Sequence, residues 1–115
     1  MARVFRTRLD SVLDAMKQIY KITYPTGKIY IGKDAIGSAR YFGSPDMDLV
    51  NADFATLPKE LQLDYTIRKQ ILWESDTATD EELSAKEVEM IRQHKANDPE
   101  IGYNRWPKFK RRNGI

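Results

Sequence analysis

Hydrophobic and polar positions change period several times along this chain, and each change marks an element. Phe5, Leu9, Val12, Leu13 and Met16 recur at helical spacing, which predicts a helix over 4–17. From Gln18 to Lys33 the period drops to two, with β-branched and aromatic residues on both sides of Pro25-Thr26-Gly27. That pattern predicts strands over 18–24 and 28–33, joined by a tight turn. Pro25 presets φ at the first turn position and Gly27 takes the left-handed conformation. With Tyr24 closing the turn opposite Lys28, Ile22 faces Tyr30 and Tyr20 faces Gly32. Tyr20, Ile22, Tyr30 and Gly32 then share one face. Gly32 carries no side chain, so the space beside Tyr20 is expected to be open to a ligand.

Further along, 35–42 reads as a short helix stopped by Gly43. The stretch 44–64, punctuated by Pro45 and Pro58, reads as a long loop with one short helical piece. Residues 65–73 alternate as a third strand. Thr79 and Glu82 stand in capping-box spacing at the head of a helix expected over 79–95. At about 100° per residue its apolar stripe runs through Leu83, Val88, Met90 and Ile91, and Glu87 falls inside that stripe. A carboxylate there is costly unless something cationic meets it. Two readings stay open: a salt bridge or snorkelling carboxylate at the helix edge, or a metal ligand. His94, on the apolar side, reads as a residue at the edge of the core.

Composition narrows the chemistry. The chain has 115 residues, no cysteine and one histidine, which suits a single domain spanning 1–115 and removes thiolate nucleophiles and multi-histidine metal sites. Any bound metal is then held by oxygen, as magnesium or manganese would be. No apolar run reaches membrane-spanning length and the first residues lack a signal-peptide core, so the expectation is an intracellular protein that does not enter a membrane. The net charge of +2 is unevenly placed. Lys17, Lys21, Lys28, Lys33 and Arg40 gather around the hairpin, and Arg105, Lys108, Lys110, Arg111 and Arg112 crowd the C-terminus. Basic residues interleaved with Tyr103, Trp106 and Phe109 suit a phosphate backbone with stacked bases, or else form a solvated tail. The acidic 46–64 stretch would suit a protein partner instead.

Taken in order, Gln18-Ile19-Tyr20, Tyr30-Ile31-Gly32, Arg40, Glu87 and Gly102-Tyr103-Asn104 resemble the signatures of the GIY-YIG nuclease domain. Tyr41-Phe42-Gly43-Ser44 resembles a run found in phage-type members. The likeness covers a core over 18–106, with the helix over 4–17 before it and a basic tail over 107–115 behind. It implies an α+β fold, a small three-stranded antiparallel sheet flanked by helices, and a metal-dependent DNA endonuclease. By that resemblance Tyr30 is the general base, Tyr20 positions the nucleophile or phosphate, and Arg40 stabilises phosphoryl charge. Glu87 holds Mg2+ or Mn2+, and Asn104 fixes the geometry around the phosphate or orients Glu87. Gly32, Lys33, Tyr41, Arg105, Lys108 and Lys110 are the expected DNA contacts. Gln18 replaces the first glycine of the signature, and Ser44 stands where many members carry tyrosine or histidine. Those departures keep an alternative open: a weak or inactive DNA-binding module of the same fold. In a domain this small, specificity is expected either from the helix over 4–17 and the basic tail, or from a partner protein or a homodimer.

Overall fold

The computed structural model describes residues 16–38 and 41–110. Within them, three antiparallel strands form one sheet: β1 (Lys17–Thr23), β2 (Ile29–Asp34) and β3 (Arg68–Ser75), in the order β2-β1-β3. Three helices accompany it among the described residues: α1 (Met47–Ala55), α2 (Lys59–Gln62) and α3 (Asp80–His94). The class is α+β with a three-stranded antiparallel sheet, as expected.

The hairpin has the expected register: Ile22 pairs with Tyr30 and Tyr20 with Gly32. Its turn closes through Tyr24 N–H to Lys28 C=O at 3.0 Å and Gly27 N–H to Tyr24 C=O at 2.8 Å, with Gly27 at φ +86°. As the central strand, β1 must be apolar on both faces, and Ile19, Tyr20 and Ile22 are all fully buried. One face carries Tyr20, Ile22, Tyr24 and Tyr30 against Val50 of α1 and Tyr103. The other carries Ile19 and Ile31 against Leu83 and Ile91 of α3.

Helix α3 begins and ends where its local chemistry directs. Thr79 Oγ1 accepts from Glu82 N–H at 3.1 Å, and Glu82 Oε1 accepts from Thr79 N–H at 2.8 Å, so two otherwise orphaned donors are satisfied. Lys95 adopts a left-handed conformation, and Ala96 N–H returns to Ile91 C=O at 2.9 Å, closing the last turn.

Several expectations are corrected. β3 runs from Arg68 to Ser75 rather than over 65–73, because Arg68 pairs with Thr23, the last residue of β1 before the turn. No helix forms over the described part of 35–42. Asp34 accepts from the Ile36 and Ser38 N–H groups at 2.9 and 2.6 Å, and Gly37 sits at φ +69°, so the N–H groups a helix would need are held in a loop. The 44–64 stretch holds two helices, not one short piece. Asp46 caps α1 by accepting from Leu49 N–H at 3.2 Å, and Pro58 opens α2. The helix expected over 4–17 lies outside the described residues except for its end, where Lys17 instead opens β1.

After α3 the chain returns to β2. Gly102 forms a parallel bridge with Ile29, made by Ile29 N–H to Ile101 C=O at 3.2 Å and Tyr103 N–H to Ile29 C=O at 2.8 Å. A Cβ on Gly102 would lie 2.7 Å from both Ala96 Cα and Ile29 O. Backbone on two sides leaves no room to give, so Gly102→Ala is expected to cost about 3 kcal/mol in urea unfolding. Gly27→Ala, with nothing near the added carbon, costs only the left-handed penalty of about 1 kcal/mol. Equal losses for the two would contradict this packing.

Candidate functional site

β2 is an edge strand, so the N–H and C=O groups of Ile29, Ile31 and Lys33 point away from β1 and need partners. Each faces a different one. Ile29 is bridged by the 101–103 backbone, as above. Ile31 is met by a side chain: Asn104 Oδ1 accepts from Ile31 N–H at 2.8 Å, and Asn104 Nδ2 donates to Ile31 C=O at 2.7 Å. The Asn104 amide thus replaces one rung of the ladder. At the next rung the Glu87 carboxylate stands close enough for the Lys33 N–H to pull its pKa down.

This edge explains the misplaced carboxylate of α3. Leu83 and Ile91 are buried on the sheet, and Glu87, between them, reaches the rim of β2 instead of the core. Burial pushes the Glu87 carboxyl above its usual value, while the Lys33 ammonium and the Lys33 N–H pull it down. Lys33 Nζ itself donates to Ser84 Oγ at 2.6 Å. An ion pair between Glu87 and a side-chain partner is absent among the described residues.

The tyrosine face ends beside the same rim. Tyr20 and Tyr30 have ring centroids 6.3 Å apart, and Tyr41 meets Tyr20 edge-on at 6.1 Å. The space above Gly32 is not open as expected: the Tyr20 ring leans across it, and a Cβ there would collide with the Tyr20 hydroxyl and lie 2.9 Å from Tyr30. Gly43, at φ +73°, closes over the pair, where a Cβ would lie 2.7 Å from Tyr30 Oη. Two glycines from separate segments therefore let the two hydroxyls converge. Both phenols feel the Glu87 charge.

The hydroxyls differ in what holds them. Tyr30 Oη accepts from Ser44 N–H at 3.0 Å. Burial raises the Tyr30 phenol above its ordinary value; that N–H and the Arg105 charge lower it, and Glu87 and Tyr41 raise it. Tyr20 Oη is buried with no hydrogen-bond partner, and burial drives its phenol far upward. An orphaned polar atom of this kind usually costs stability and is kept for another reason.

Of the residues singled out from the sequence, Tyr20, Tyr30, Gly32, Lys33, Tyr41, Glu87 and Asn104 lie together along the β2 rim. Arg105 is exposed, and its charge reaches Tyr30. Asn104 holds the rim: its amide accepts one hydrogen bond from Ile31 and donates one to it, with a second N–H and a second lone pair left over. Lys108 lines a separate cavity of about 430 Å³ with Arg105 and Tyr103, and Lys110 is exposed on the tail. Arg40 lies outside the described residues. Gln18 is buried, and its Nε2 donates to Glu74 at 2.8 Å, so the first signature position serves packing. Sequence reasoning missed Lys69 of β3, whose ammonium stands 4.5 Å from the Tyr20 ring centroid. The signal was a lysine two residues beyond Ile67, which packs on the tyrosine cluster, the strand counterpart of Glu87 on its helix.

The donors suit one hard divalent cation. They offer a single half-buried carboxylate beside an unpartnered hydroxyl, and no cluster of three acidic, histidine or cysteine side chains occurs among the described residues. Mg2+ takes one or two carboxylates and keeps its waters, so Glu87 at the edge of the rim could hold it without a closed protein cage. A scan against protein-family models, a search of curated proteins and a search of solved structures each returned no match.

Two outcomes follow from this burial. Tyr20→Phe removes an unsatisfied buried hydroxyl and is expected to leave stability unchanged or raise it by about 1 kcal/mol in urea unfolding, whereas a clear loss would mean the hydroxyl has a hidden partner. Alkali acts the other way. Burial holds Tyr24 and Tyr103 up at about 12 and Tyr20 and Tyr30 above their ordinary value. The unfolded chain ionises its phenols near about pH 10 while the folded chain still keeps these protonated. Stability is therefore full below about pH 9 and falls as pH climbs toward about 12, which a series of urea midpoints against pH will show.

Proposed function

We propose that this chain is a metal-dependent DNA endonuclease of the GIY-YIG kind. The observation that carries the reading is the meeting of Tyr20, Tyr30 and Glu87 at one strand rim, from residues far apart in sequence, with Gly32 and Gly43 leaving room for the two phenols.

Each residue has a task in cutting a phosphodiester. Tyr30 takes the proton of the attacking water. Its oxygen already accepts the Ser44 N–H, and a donor aimed at the phenolate form favours that form. Arg105 adds positive potential beside it. Tyr20, with its hydroxyl uncommitted, orients the water or a phosphate oxygen. Arg40 stabilises charge on the phosphoryl oxygens, the work of a fixed guanidinium fork. Glu87 would hold Mg2+ or Mn2+, which supplies charge neutralisation at the phosphate and acidifies water. Lys33 and the basic tail residues Arg105, Lys108 and Lys110 contact the DNA backbone, so binding weakens with salt.

A second reading is a DNA-binding module that does not cut, and it rests on Tyr30: burial holds that phenol up rather than poising it as a base. Cleavage separates the two. Plasmid and branched DNA are expected to be nicked with magnesium or manganese and not with chelator. Tyr30→Phe and Glu87→Ala should each slow nicking by about 100-fold or more while leaving salt-dependent DNA binding in place. Binding without nicking, across metals and substrates, selects the module; undiminished nicking in both variants overturns the site.

A further inference from the structure

A cavity of about 440 Å³ shares Ser44 with the tyrosine rim. Its lining includes Tyr24 from the hairpin turn, Phe42, Met47 at the head of α1, and Tyr65 and Ile67 from the approach to β3. The size falls in the range of small-molecule sites, about 300–1,000 Å³. Three of these side chains stand well into water: Phe42 is 39% exposed, Met47 46% and Tyr65 47%. A folded chain seldom gathers large apolar side chains at one opening unless something covers them. Two of the rings are backed by others, Tyr65 by Phe54 edge-on at 4.8 Å and Tyr24 by Tyr103 edge-on at 5.2 Å. Such support orders the lining before a ligand arrives and lowers the cost of binding. Burial, and then the Tyr65 and Tyr30 charges, push the Tyr24 phenol up to about 12, so the lining lies within electrostatic range of the rim.

The lining itself separates the occupants it could take. An aliphatic side chain of another protein needs only apolar volume, whereas aromatic rings add a face on which any planar base stacks. Lys69 Nζ stands 5.7 Å from the Phe42 ring centroid, and positive charge bordering the rings suits a base that carries its phosphate. Ser44 lines the cavity while its N–H holds Tyr30 Oη at 3.0 Å, so a nucleotide seated here has its phosphates beside Tyr30. We propose that this cavity is a nucleobase site: it takes one unpaired or flipped base of the bound DNA, stacked on the Phe42 and Tyr65 rings. That the same strand is then cut rests on the nuclease reading, whereas base binding does not. Extruding a base from a duplex costs least where it is mismatched or already single-stranded. DNA with unpaired nucleotides, as at branches and bulges, is therefore the preferred class.

Fluorescence anisotropy of the full chain with chelator present reads binding without cutting. The probes are a single-stranded thymidine oligonucleotide and a fully paired duplex of equal length, at one salt concentration. Tyr65→Leu and Phe42→Leu keep an apolar side chain and remove the ring. Each is expected to weaken single-strand binding about 10-fold, with duplex binding held within about twofold. Tyr65→Phe, which keeps the ring, should return single-strand affinity to within about twofold of the parent. Unchanged single-strand affinity in both leucine variants overturns the base site, as does a parent that binds no single strand. Equal losses on single strand and duplex overturn it too, because they mark a general DNA contact or a damaged fold. A loss in Tyr65→Phe as large as in Tyr65→Leu assigns the effect to the hydroxyl and overturns stacking. Nicking with magnesium or manganese decides the nuclease reading separately. A parent that binds single strands through these rings yet nicks nothing keeps the base site and loses that reading. One that nicks DNA, with single-strand binding untouched by either leucine, keeps the reading and loses the site.

Discussion

The outer edge of β2 is the constraint on which the rest of the structure depends. An edge strand must satisfy its outward N–H and C=O groups or leave them as a template for other chains. Here two outward rungs are met by a backbone bridge at Ile29 and a side-chain amide from Asn104 at Ile31, and the Glu87 carboxylate lies beside the third at Lys33. That sequence of partners draws the C-terminal segment and α3 to the same rim. Tyr103 supports it from behind, with its hydroxyl between Thr26 at 2.7 Å and Asp53 at 3.0 Å, and Lys28 bridges to Asp53 at 2.7 Å. The hairpin turn, α1 and the closing segment are thereby tied into one support.

Above that rim the molecule keeps features that stability alone would remove. Tyr20 carries a buried hydroxyl without a partner, Glu87 a carboxylate that burial disfavours, and Lys69 an ammonium partly withdrawn from water. Each is costly by itself. Their proximity, with Gly32 and Gly43 making room for the phenols, is what the proposed site rests on.

Much of the fold was legible because it rests on local signals. The hairpin register follows from the turn chemistry of Pro25 and Gly27 together with strict alternation. Helix α3 follows from the Thr79–Glu82 box. The misreadings share a cause as well. The 35–42 stretch looks helical by spacing, but the two carboxylate oxygens of Asp34 take the N–H groups first. Helix α1 was obscured because its one fully buried residue is Val50, which leaves little periodicity to detect.

For the site, the sequence by itself determined which residues are out of place: a glutamate within an apolar helical stripe, and two tyrosines flanking a glycine across a hairpin. Periodicity can reveal such misfits because it compares each residue with its own element. Only the tertiary structure decided what the misfits meet. Asn104 turned out to complete a strand, the Tyr20 ring to fill the space that Gly32 leaves, and Lys69 to donate to the Ser38 and Tyr41 carbonyls. Those outcomes depend on which element borders which and at what height along the strand, and contacts between residues far apart in the chain leave no local trace from which they could be read.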